Sequence, residues 1–247
     1  MLDSQVVFYL IFAVSALVIG MAKGGFGAAF AALATPLLAL VMPVNELVAV
    51  ILPFLMLADL FAVGFHWGRW ERRLVFLLLP GALAGVAVGT VFLTNVSPET
   101  LRNVLAATIL AFTLYKFLEP RLLGLVAYRP HPWHGVLAGG VSGFTSAIAN
   151  NGGPPATIYL LLQDLQPRTF IATSALFFFI LNYIKVPFYL AAGLFNPQQF
   201  LQVAWLLPLV PIGVWIGRLF VDRAGKAFYD RVILAILAAS AVLLLLT

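Results

Sequence analysis

Polar and charged positions along the chain gather in short clusters separated by long apolar runs. Residues 4–22, 24–45, 74–98, 135–163 and 186–217 contain no Asp, Glu, Lys or Arg. A bilayer-crossing helix needs about 20 predominantly apolar residues, so runs of this length predict membrane helices. A transmembrane β-barrel would alternate apolar and polar residues along short strands, whereas these runs are apolar on every face. Apolar segments fall near 5–22, 24–41, 46–65, 74–93 and 100–118, and again near 134–150, 154–164, 168–193, 199–220 and 229–246. The expected fold is all-α and polytopic, with 8–10 membrane segments.

A polar linker, "KFLEPRLLGLVAYRPHPWH", separates two halves that resemble each other. "PGALAGVAVG" (80–89) aligns with "PLVPIGVWIG" (208–217), matching Pro80 to Pro208, Gly85 to Gly213 and Gly89 to Gly217. "GMAKGGFG" (20–27) stands where "GFTSAIAN" (143–150) stands, at a spacing of about 123–128 residues. Each half opens with an apolar pair broken in its middle, 5–41 and 134–164, and continues with three further segments. The chain divides into a first repeat (1–118), a linker (119–133) and a second repeat (134–247).

Charge gives the expected orientation. Basic residues concentrate in cytoplasmic loops. Arg69, Arg72 and Arg73 share one loop; Lys116, Arg121 and Arg129 share the linker; Arg218, Arg223, Lys226 and Arg231 flank a third turn, and Arg168 sits in a fourth. These are 11 of the 14 Lys and Arg, while the turns at 42–46, 94–99 and 194–199 and both termini have none. Placing the basic loops inside puts both termini outside and gives the halves opposite orientations, an inverted repeat of the kind secondary transporters use. Arg102, just after an outer turn, fits this thread least well.

Composition agrees with the pattern. Of 247 residues, 63% are hydrophobic and 9% charged, where a soluble domain carries about 25% charged residues. The net charge of +5 reads as orientation rather than as attraction to acidic partners, and no nucleic acid is expected. The first run lacks a basic n-region and a cleavage site, so it is read as mature structure rather than a signal peptide. With no cysteine there is no thiolate or disulfide chemistry.

Candidate chemistry lies at the two breaks, "AKGGFG" in the first half and "ANNGGPP" in the second. Glycine and proline weaken a helix by roughly 1 and 3 kcal/mol relative to alanine, so neither stretch continues a helix. Both are expected to present backbone N–H groups at the start of a following helix, near Gly25–Gly27 and Pro155–Thr157, where the partial positive charge favours anions. Non-helical backbone at membrane depth is tolerated only inside protein or beside a cavity, so the breaks are expected to meet around a polar cavity. Lys23 lies at the first break, and an intramembrane lysine marks a functional site by default. The alternative is that Lys23 snorkels to an interface. The candidate anion-binding set is Lys23, Gly24, Gly25, Gly27, Asn150, Asn151, Gly152, Gly153, Asn182 and Lys185, with Asp59 as the candidate coupling residue. Asp59 and Lys185 could instead pair with each other. Asn182 precedes Lys185 by one turn on the same face. Thr145, Ser146 and Ser174 are expected to satisfy backbone groups. The glycines at 81, 85, 89, 135, 139, 143, 213 and 217 are expected to serve close helix packing, and Phe177, Phe178 and Phe179 to face lipid or core.

A glycine-rich break followed by a proline-marked helix, then "NNGGPPATIYLL" and "NYIKVPFYLAAGLF", make the chain resemble the TauE/SafE sulfite exporter family, also called toluene-sulfonate uptake permeases. The resemblance covers nearly the whole chain. It implies movement of a small sulfur-containing anion such as sulfite, a sulfonate or sulfoacetate across the bacterial inner membrane. Residues matching its two glycine-rich stretches are Gly20, Gly24, Gly25 and Gly27, and Gly143, Gly152 and Gly153. Lys23 stands where family members often have only small residues.

The leading reading is therefore a secondary anion transporter in the lipid bilayer, without cofactor or metal, with protons as candidate coupling ion and a homo-oligomer compatible with the sequence. No GxxxxGK[ST] stretch is present to bind ATP. A channel, or a membrane subunit of a larger complex, would share the broken helices. An intramembrane serine protease is disfavoured: "GVSG" (140–143) resembles its motif, but His66, His131 and His134 all precede Ser142 and no later helix offers a base.

Overall fold

The structure, a computed structural model, describes residues 4–26, 28–31, 33–97, 99–101, 103–104, 107 and 131–223. Gly27, most of the linker at 119–133, most of the segment at 100–118 and the whole of the one at 229–246 lie outside the described residues.

The described chain is helical, with no strand among the described residues. Helix α1 covers Ser4–Met21 and runs into a π-helical turn, Ala22–Phe26, followed by the short helices α2 (Ala28–Ala31) and α3 (Ala34–Ala39). Next come α4 (Val44–Val50), α5 (Leu52–Phe65) and α6 (Arg72–Asn95). The second half supplies α7 (Pro132–Ala149), α8 (Gly153–Leu161), α9 (Pro167–Ala191), α10 (Pro197–Val203), a 3₁₀ turn at Ala204–Leu206 and α11 (Leu209–Arg223). Ser4–Gly25, Val44–Phe65, Arg72–Asn95 and Pro167–Ala191 are each long and apolar enough to cross a membrane, and Pro197–Leu206 with Leu209–Leu219, bent by 48°, would make a further span. The protein is a multi-pass helical membrane protein.

After the first break the apolar run at 24–41 holds two short helices, α2 and α3. Pro36 lies in the first turn of α3, where its missing N–H costs nothing. Its ring would clash with the carbonyl four residues earlier if a helix ran through from 24.

The glycine series set the packing. α6 lies along α7, and α1 lies along α11. A Cβ on Gly81 would overlap the Val136 carbonyl oxygen, one on Gly85 that of Gly140, and one on Gly139 that of Leu78. In the other pair a Cβ on Gly24 would overlap the Val214 carbonyl oxygen, and one on Gly217 would sit 2.5 Å from that of Met21. Both pairs are parallel: Gly81 and then Gly85 meet Val136 and then Gly140, as Gly20 and then Gly24 meet Val210 and then Val214. The second hairpin returns to where it started, because Tyr159 of α8 packs beside Gly135 at the beginning of α7.

Among the described residues, the turns carrying Arg69, Arg72 and Arg73, Arg168, and Arg218 share one end of the molecule, while Lys116, Arg121, Arg129, Lys226 and Arg231 lie outside the described residues. The Glu71 backbone N–H, in the loop of Arg69, Arg72 and Arg73, donates to Thr173 Oγ1 near Arg168 at 2.9 Å, and the Arg218 guanidinium stacks over the Phe65 ring at 5.2 Å. At the opposite end Gln199 Nε2 donates to Glu46 Oε2 at 2.6 Å, and Tyr9 of α1 packs against Trp205 with ring centroids 5.8 Å apart. Between these ends two apolar clusters surround the breaks, one around Phe12, Leu38, Leu47 and Phe54 and one around Leu78, Leu160, Phe177 and Leu181.

Candidate functional site

The second break starts where α7 stops. Asn150 takes a left-handed conformation (φ 53, ψ 23), which asparagine adopts more readily than other residues with a Cβ. Its N–H donates to Ser146 O at 2.9 Å, and that of Asn151 donates to Thr145 O at 3.3 Å. Two carbonyls left over at this helix end find side chains. Tyr189 donates its hydroxyl to Ala147 O at 2.6 Å, and Thr35 donates to Ala149 O at 2.7 Å. Thr35 belongs to the segment after the first break, so this contact ties the two broken pairs together. Ser142 Oγ donates to the Gly152 carbonyl oxygen and fixes the loop against α7.

Asn150 also has a side-chain role. Its Oδ1 accepts from Lys185 Nζ at 2.6 Å, while its Nδ2 donates to Val48 O at 3.1 Å. Lys185 is fully buried. Its Nζ has no carboxylate within ion-pair distance among the described residues, where Lys23–Asp59 is the salt bridge found. The C-terminal end of α7 contributes a partial negative charge of about half a unit, less than a carboxylate would. Asn151, beside it, is 4% exposed, and its Nδ2 has no hydrogen-bond partner among the described residues. A buried polar donor without a partner costs roughly 1–3 kcal/mol.

The first break carries the opposite arrangement. Gly25 has non-helical angles (φ 158, ψ −18) within the π-helical turn, and the turn brings Lys23 to α5. Lys23 Nζ lies 2.6 Å from Asp59 Oδ1 and 4.8 Å from the centre of the Phe178 ring. Asp59 is fully buried, and its second oxygen, Oδ2, accepts from Asn182 Nδ2 at 2.5 Å. Lys23 is therefore held by a carboxylate, its side chain 16% exposed. The alternative pairing of Asp59 with Lys185 is not formed, because Lys23 and Asn182 occupy the carboxylate and Asn150 occupies Lys185.

Asn182 and Lys185 lie one turn apart on α9, about 4.5 Å along its axis. The two breaks are thus joined to adjacent levels of one helix face, through Lys23–Asp59–Asn182 and Asn150–Lys185. The glycines have other contacts. Gly24 is pressed against α11 and Gly152 against Ser142 and Ser146 of α7; Gly153 is the buried first residue of α8. The expected helix N-termini are also modest: α2 is a single turn, and Pro154 and Pro155 leave two residues of the first turn of α8 without an N–H. Charge at this site comes chiefly from side chains.

Three participants were not singled out from sequence: Thr35, Tyr189, and Phe178 as a cation–π partner. Phe178, Asn182, Lys185 and Tyr189 follow one another at spacings of four, three and four, a single helical face. That periodicity was present in the sequence, but an aromatic residue in an apolar helix ordinarily reads as core.

A family model described as "Sulfite exporter TauE/SafE" matches residues 12–244. No curated protein and no solved structure matches the chain significantly.

Proposed function

The chain belongs to the TauE/SafE sulfite exporter family, a family of membrane transporters, and from that premise we propose that it is a secondary transporter for a small sulfur-containing anion such as sulfite or a sulfonate, moved across the bacterial inner membrane. The observation that carries this reading is Lys185: a fully buried lysine amine whose hydrogen-bond partner among the described residues is a neutral amide. A buried charge is costly unless paired, and an anion arriving beside Lys185 supplies the missing counter-charge. The Asn151 amide, unpartnered among the described residues, is a donor for its oxygens, and Lys23 is a second cation at the edge of the same cluster.

An inverted repeat is part of the proposal. In its support, the opening helix of each half packs against the glycine helix of the other, α1 on α11 and α7 on α6. Asp59 and Asn182, which are hydrogen-bonded to each other, are 123 residues apart, within the spacing of the internal similarity. The two hairpins then reach the α9 face from opposite ends, as alternating access around a fixed site requires. Asp59, ion-paired at the centre of the cluster, is the candidate for proton coupling.

Proteoliposomes loaded with sulfite test the proposal. Labelled external sulfite should accumulate by exchange in the parent and saturate with concentration, and Lys185→Gln should reduce the exchange at least tenfold. Flux that is linear in concentration and indifferent to internal sulfite would indicate a channel. Undiminished exchange by Lys185→Gln would remove Lys185 from the site.

A further inference from the structure

The charge count of the cluster carries an inference about which anions fit, and it rests on the anion site proposed above. Among the described residues, Asp59 and Lys185 are the buried charged side chains, and Lys23 closes the set through its ion pair with Asp59. An anion in the site holds both lysines as ammonium groups. Two ammonium charges against one carboxylate leave a surplus of a single positive charge.

We propose that the site selects anions of one negative charge over anions of two, and that Asp59 is the residue that sets this preference. Asp59 cannot turn away when a ligand arrives. One of its oxygens is held by Lys23 at 2.6 Å and the other by Asn182 at 2.5 Å, on two different elements. Its carboxylate is therefore fixed in place, and while ionised it partly neutralises Lys23 before any ligand binds. A monoanion beside Lys185 brings the site to neutrality. A dianion leaves one negative charge uncompensated in a buried environment, where interactions between charges are several times stronger than in water. The Asp59 carboxylate adds direct repulsion, the unfavourable contact that discrimination between similar ligands needs. The favoured chemical class is a sulfonate or the singly protonated form of sulfite; the doubly charged form enters only with a proton.

Two probes of fixed charge separate these classes at one pH: methanesulfonate, with one negative charge, and sulfate, with two. Their affinities are measured by calorimetry on the full-length protein in detergent. The parent should bind methanesulfonate at least about tenfold more tightly than sulfate. Asp59→Asn raises the surplus to two and should reverse the order by a similar factor. Adding Lys23→Gln to Asp59→Asn returns the surplus to one and should restore the monoanion preference, although neither member of the ion pair remains. A preference that followed hydrogen-bond geometry would not track the charge in this way. Equal affinity of the parent for the two probes would overturn the proposal even if no variant folded. A folded Asp59→Asn protein with the parental ratio would overturn it as well, with the anion site itself left standing. Binding of neither probe by the parent would defeat the anion site and this preference together.

Discussion

Asn150 combines two properties that few residues share. The end of α7 needs a residue in the left-handed region, where glycine is the usual choice. Lys185 needs an acceptor, which glycine lacks. Asparagine meets both needs, and its amide also satisfies the Val48 carbonyl. Asn150→Gly should therefore keep the helix end and strip Lys185 of its acceptor. The expected loss is about 1.5–3 kcal/mol, the range for hydrogen bonds to charged groups, read as a lower unfolding temperature in detergent. Saturating sulfite should recover part of that loss in the variant, because the anion replaces the missing partner. A variant as stable as the parent would show that Lys185 does not depend on Asn150. At this scale the sequence was informative about identity and silent about pairing. Lys23, Asp59 and Lys185 were conspicuous because a charge within an apolar run needs a reason. Their partners could not be read, because Lys23 meets Asp59 and Lys185 meets Asn150 only through the placement of separate helices.

At the scale of elements, glycine spacing was the legible signal. The glycines at 81, 85, 89, 139 and 143 join α6 to α7, and those at 20, 24, 213 and 217 join α1 to α11. Sequence supplied the spacing but not the partner, since small residues every fourth position specify a close approach without naming the helix that approaches. Gly85→Val in α6 and Gly24→Val at the first break would each put a side chain into backbone that cannot move aside. Each should cost more than about 3 kcal/mol, at or beyond the upper end of ordinary overpacking, and yield little folded protein. Gly64→Ala on α5 is the contrast. A Cβ there meets nothing within 4 Å, and the gain in helix propensity is up to about 1 kcal/mol. Size-exclusion profiles and thermal unfolding of the three variants check this. A well-folded Gly85→Val would mean that α6 and α7 do not approach as closely as described. In the first broken pair the apolar character of 24–41 was visible in the sequence, while its division into the short helices α2 and α3 was not.

Across the whole molecule, charge separates the two ends. The turns carrying Arg69, Arg72, Arg73, Arg168 and Arg218 meet at one end through the Glu71–Thr173 and Arg218–Phe65 contacts. The turn of Glu46 meets that of Gln199 at the other. This grouping was readable from sequence because loop charge follows membrane sidedness rather than the details of packing. The repeat led to the expectation that the two breaks meet each other around a cavity; their shared attachment to one face of α9, through Asn182, Lys185 and Tyr189 with Asp59 and Asn150 facing them, depends on the assembled fold. The proposed transport function depends on Lys185 as the counter-charge of a bound anion, and titration of sulfite into the purified protein by calorimetry measures that role. The parent should bind with one saturable site. Lys185→Gln, folded by its thermal unfolding profile, should bind at least about tenfold more weakly, corresponding to a loss of about 1.4 kcal/mol or more. Equal affinity in the two proteins would show that Lys185 is not the counter-charge of the anion.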